Sequence, residues 1–96
     1  MRPAYRSITK HITFRLNAPD AQAVQVVICL IQEDAEPITL ALRKGVDGVW
    51  SLRTELARGR YVYRFLVDGI PTLDPHARYN VTDDKTGEWN MREIGY

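Results

Sequence analysis

Two histidines, a few clustered carboxylates, two tryptophans and a run of arginines are the residues of this chain that could do chemistry, and their spacing excludes most of it. His11 and His76 have no cysteine or carboxylate at metal-ligand spacing, so no metal site is expected. Asp83-Asp84 lacks the alternating acidic pattern of a calcium loop and reads as a turn or a loose cation contact. Asp74 could pair with Glu88 or Asp83 as acid and base, but Asp74-Pro75 reads more simply as a rigid turn. There is no G-x-S-x-G elbow and no phosphate loop. Arg53, Arg58, Arg60 and Arg64 form a small basic patch in sequence, interleaved with acidic residues. These residues point away from an enzyme and away from a cofactor.

The chain as a whole agrees. It has 96 residues, enough for one domain over 1–96 with a workable core. Apolar residues make up 45% and charged residues 26%, ordinary for a globular domain. A net charge of +1 gives no electrostatic footprint for nucleic acid or an anionic membrane. The longest apolar run, residues 26–31, is far too short to span a bilayer. Arg2 and Arg6 have no apolar stretch behind them, so no signal peptide is expected. The lone Cys29 sits in an apolar run and reads as a small buried hydrophobe, which suits a reducing, cytoplasmic setting. The methionine start suits a stand-alone protein, with a fragment of a larger protein as the other expectation.

What must position these residues is a set of short strands, because no segment shows a 3.6-residue apolar period. The clearest is 59–67, where Tyr61, Tyr63, Phe65 and Val67 alternate with Val62, Arg64 and Leu66, and Asp68-Gly69 supplies a turn. This alternation makes the aromatics core and turns Arg64 outward. Ile12, Phe14 and Leu16 share a face of an earlier strand, and 23–31 is apolar on both faces, as a central strand should be. Ile38, Leu40 and Leu42 alternate again, then Trp50, Leu52, Thr54 and Leu56. Trp50 is therefore expected in the core. A short strand at 79–82, the turn 83–87 and a last strand at 88–94 follow. In that last strand Glu88, Asn90 and Arg92 are expected on the outer face, with Trp89 and Met91 pointing inward. Tyr5, Tyr79 and Tyr96 lie in less regular segments and could present exposed rings. About seven strands of this size describe an all-β, immunoglobulin-like antiparallel β-sandwich.

Four motifs in order give this pattern a family. Phe14 to Ala21 with Val24-Gln25-Val26, Asp47-Gly48-Val49-Trp50, Tyr63 to Gly69 with Asp74-Pro75, and Thr86-Gly87-Glu88-Trp89-Asn90 together resemble the glycogen- and starch-binding modules. These modules begin isoamylases and glycogen branching enzymes and also occur in the β subunit of AMP-activated protein kinase. The resemblance implies an early-set sandwich that binds α-glucan without catalysis. It places Arg64 at the position of the family's sugar-binding lysine and Asn90 at that of its asparagine, with Thr86 and Glu88 beside them. The family's two sugar-stacking tryptophans are absent. Pro71 falls where one would stand, and the other would lie in the segment 31–37. Trp89 could replace a lost platform, although alternation favours core or edge packing for it.

The sequence thus leads to an α-glucan-binding or glucan-enzyme-associated module centred on Arg64, Asn90, Glu88 and Thr86. The alternative is a protein–protein interaction domain that kept the sandwich and lost the sugar site. Arg64 and Asn90 favour the first, and the missing tryptophans favour the second.

Overall fold

Period-2 patterning becomes period-2 burial. In β1 (Thr9–Asn17) Ile12, Phe14 and Leu16 are buried while their neighbours are exposed, and β6 (Gly59–Val67) buries Tyr61, Tyr63 and Phe65. The computed structural model describes residues 9–95, so Tyr5 and Tyr96 lie outside the described residues. Between and after these strands come β2 (Val24–Leu30), β3 (Ile38–Ala41), β4 (Arg43–Lys44), β5 (Val49–Ala57), β7 (Ile70–Thr72), β8 (Tyr79–Asp83) and β9 (Gly87–Ile94).

They form two antiparallel sheets, a small one in the order β1-β5-β4 and a large one in the order β3-β2-β6-β9-β8, with β7 also on β6. The architecture is the expected all-β sandwich, with nine strands in place of about seven. Both extra strands have a local cause. The strand read from the alternation of Ile38, Leu40 and Leu42 changes sheets at Leu42. The Leu42 N–H still donates to Val24 in the large sheet, and Arg43 already pairs with Ser51 in the small one. The spacer after Asp68-Gly69 folds back as β7, because both turn residues adopt positive φ (51° and 84°), the geometry of a tight two-residue hairpin. β2 is flanked by β3 and β6, the central position its two apolar faces predict.

The core lies between the sheets. Phe14 from the small sheet meets the rings of Tyr63 and Phe65 from the large one, with centroids 5.2 and 6.5 Å apart in edge-to-face geometry. Trp50 is buried as expected, and its indole N–H donates to the Ala18 carbonyl at 2.8 Å. Gly48 makes that corner possible. Its φ is +80°, and a Cβ there would sit 2.9 Å from the Pro19 Cβ.

Candidate binding surface

The outward face of the large sheet is built from the β6 residues that do not enter the core. Cross-strand register places Val27 opposite Arg64, Cys29 and Met91 opposite Val62, and Tyr79 opposite Met91. Val27, Cys29, Val62, Leu66, Val81 and Met91 are all only partly covered, so this face is an apolar strip left half open to solvent.

At one end of the strip the β8–β9 hairpin fixes two side chains against each other. Asp83 Oδ1 accepts the N–H groups of Lys85 (2.7 Å) and Thr86 (2.9 Å), and these bonds hold the Asp83 carboxyl below its ordinary pKa. Gly87 closes the turn at φ +91°. The Thr86 hydroxyl then accepts the Trp89 indole N–H at 2.8 Å. Arg64 reaches over from β6. Its Nη1 donates to the Thr86 carbonyl at 2.7 Å and the Glu88 carbonyl at 3.2 Å, and its guanidinium lies 3.9 Å from the centre of the Trp89 ring. Paired β6–β9 register stops at Tyr63 opposite Asn90, so the two carbonyls fall just past it, and a side chain serves them in place of a strand.

Of the four residues proposed from sequence, Arg64 and Thr86 are brought together here with the backbone carbonyl of Glu88, whose side chain alternates to the other side of β9, which corrects its expected outer position. Arg64 turns outward as expected. Asn90 does not join them, which corrects its expected outer position. It is fully buried, accepting the Asp74 N–H at 2.9 Å and donating to Asn80 Oδ1 at 2.9 Å. Trp89 and Met91, expected inward, lie on the outer face. Alternation in β9 is intact, but its phase is reversed. Asn90 shares its side with buried Ile94 and pairs with Tyr63, whereas Trp89 has Arg64 to cover it. Trp89 is accordingly the functional candidate that polarity patterning placed on the wrong face, and the signal that could have found it is Ile94, four residues from Asn90 on the same side of the strand.

Behind this surface Asp74 is held in place. Its Oδ2 accepts the Tyr63 hydroxyl at 2.7 Å and its Oδ1 the His76 N–H at 2.9 Å, which makes the Asp74-Pro75 segment a structural turn. Burial, followed by the bond to Asp74 and its negative charge, pushes the Tyr63 hydroxyl well above its ordinary pKa, with Arg92 acting weakly the other way. Among the described residues no group of three His, Cys, Asp or Glu side chains could hold a metal ion.

Comparison with known proteins agrees with this architecture. Residues 3–92 match the model of the family described as carbohydrate-binding module 48 (isoamylase N-terminal domain). The chain is similar in structure to type I pullulanase from Bacillus subtilis str. 168, solved with maltose, at a TM-score of 0.70 and 22% identity over 94% of this chain and 12% of that one. It is similar to the pullulanase of Bacillus acidopullulyticus at a TM-score of 0.60 and 25% identity, over 88% of this chain and 10% of that one. A third similar structure, the pullulanase of Anoxybacillus sp. LM18-11 with maltotetraose, gives a TM-score of 0.59 and 23% identity over 91% of this chain and 12% of that one. The chain therefore spans about an eighth or less of the length of these enzymes. No curated protein matches. With the family's model covering all but the two ends of a sandwich that carries its motifs in order, the chain belongs to the carbohydrate-binding module 48 family.

Proposed function

We propose that this chain is a non-catalytic α-glucan-binding module whose site is the outer face around Trp89 and Arg64. The observation that carries the reading is the Arg64–Trp89 stack at 3.9 Å on the open side of the large sheet. A glucose ring needs an apolar platform for one face and fixed polar groups for its hydroxyls. The half-exposed indole is the platform, the guanidinium edge is the donor, and the exposed Thr86 hydroxyl is an acceptor. The family, and the maltose and maltotetraose present with two similar pullulanases, support the same ligand class. Asn90 acts at one remove, fixing β9 through Asp74 and Asn80. The lone Cys29 suits a reducing, cytoplasmic setting.

The test is a titration of isotope-labelled protein with maltoheptaose, followed by amide shifts. Saturable shifts at Arg64, Thr86, Glu88 and Trp89 are expected. Trp89→Ala should weaken binding by about 5- to 150-fold, the range of ~1–3 kcal/mol measured for one aromatic stacking contact with a nucleic-acid base. Shifts that stay flat at millimolar sugar would retire the glucan reading.

The half-open apolar strip of Val27, Val62, Leu66 and Met91 favours a second reading, a protein-interaction domain that docks a partner on the same face. Flat sugar titrations together with concentration-dependent broadening confined to that strip would favour it.

A further inference from the structure

At the edge of the sandwich where β1 approaches the large sheet lies a groove that the glucan reading does not use. It encloses about 750 Å³, between the edge strand β1 of the small sheet and strands β6, β8 and β9 of the large one. That volume lies within the ~300–1,000 Å³ typical of small-molecule sites. Its charge is concentrated. Four arginines (Arg15, Arg60, Arg78 and Arg92) line it against two carboxylates, Asp74 and Glu93. The chain carries 13 Lys and Arg and 12 Asp and Glu in all, so the rest of the molecule has one more carboxylate than cations.

Pairing inside the groove does not use up this charge. Arg60 is tied to Glu93 at 3.8 Å. Each oxygen of Asp74 already accepts one protein hydrogen bond, from Tyr63 and from His76. The side chains of Arg15, Arg78 and Arg92 make no hydrogen bond or salt bridge with any described residue. Three arginines from three different segments, β1, the 74–79 segment and β9, thus line one concave site with their side chains unpaired by any described residue.

We propose that this groove is a second binding site, for a phosphate monoester carried on a sugar. The arginines suit the phosphoryl group, because a planar guanidinium binds phosphate oxygens through two parallel N–H bonds and a dianion draws on more than one such fork. Asp74 and Tyr63 suit the carrier. A carboxylate oxygen accepts more than one hydrogen bond, so Asp74 can still take sugar hydroxyls. An acidic peptide brings carboxylates where a polyol brings hydroxyl donors for Asp74, which sets a phosphorylated polyol above an acidic peptide as the occupant.

The experiment is a shift titration of the labelled chain, reading backbone amides and arginine Nε–H groups, at constant ionic strength. Glucose 6-phosphate, inorganic phosphate, maltotriose and a hexaglutamate peptide are the probes. Glucose 6-phosphate should give saturable shifts at Arg15, Arg78 and Arg92, and maltotriose none there. Arg78→Gln with Arg92→Gln should weaken it at least about tenfold, each lost charged contact being worth ~1.5–3 kcal/mol. Both side chains are exposed, so an unchanged amide spectrum verifies the fold of the double variant. Equal affinity for inorganic phosphate would overturn the sugar carrier and make this a free-phosphate site. Saturation by hexaglutamate alone would overturn the proposal in favour of an acidic protein segment. Small non-saturating shifts, unaltered in the double variant, would overturn it outright.

Discussion

Asn90 shows how much one side chain can hold. It is the one buried polar residue among those described, and its amide satisfies an N–H on one side and another amide on the other. Asn90→Ala would leave the part-buried Asp74 N–H and the Asn80 carbonyl oxygen without their partner beside a fully buried position. An expected cost of about 2–3 kcal/mol follows from stranding buried polar groups. Thermal unfolding should show it as a fall in Tm of roughly 10–20 °C for a domain of this size. The same variant should leave the Arg64–Trp89 stack in place, since neither residue bonds to Asn90. Weakened sugar binding in protein that remains folded would therefore argue that Asn90 touches ligand after all.

The motifs that announce the family turn out to be joints between strands. Asp68 Oδ1 accepts the N–H groups of both Gln22 and Ala23 at 2.8 Å, and Asp68 N–H donates back to the Ala23 carbonyl, so the β6–β7 turn is clamped to the start of β2. Asp68→Ala should cost about 2 kcal/mol in chemical denaturation, from two lost bonds and a Cβ-bearing residue held at positive φ without its side-chain acceptor. Asp68→Asn should recover more than half, because asparagine tolerates that backbone and keeps the oxygen. Strands with strict alternation were legible in the sequence. β1, β2, β5 and β6 follow from their apolar spacing, and Trp50 enters the core as its face predicts. β4 and β7 were not, since two- and three-residue strands carry no period, and what defines them is a change of sheet at Leu42 and a turn geometry. β9 was legible as a strand but not in phase. Polar Asn90 and Arg92 with apolar Trp89 and Met91 look like an outer and an inner row, whereas hydrogen bonding lets asparagine go in and an arginine lid lets tryptophan stay out. The polar part of the candidate surface was therefore readable only through Arg64 and Thr86, and the aromatic part depended on a contact across strands.

The sandwich separates two unlike surfaces across one sheet, a half-open apolar face topped by Arg64 and Trp89, and an arginine-lined groove on the side toward β1. The Tyr63–Asp74 pair belongs to the groove, and it ties global stability to alkaline pH. Because the Tyr63 pKa is raised on folding, its contribution is complete below the unfolded value of about 10 and is lost as pH climbs above it. Unfolding free energy should thus be flat with respect to this group from pH 7 to about 9 and fall above pH ~10. Tyr63→Phe should be less stable at neutral pH yet show a shallower alkaline decline in denaturant titrations. An identical slope in both proteins would contradict the assignment. Finally, the two bonds from Arg64 to the hairpin carbonyls have a consequence for calorimetry. Arginine is among the most rotamer-rich side chains, and immobilising such a group on binding ordinarily costs about 0.5–1.5 kcal/mol. Here folding has already immobilised both guanidinium and indole, so a ligand meets a rigid surface, and the entropic penalty of association is shifted onto the sugar chain alone.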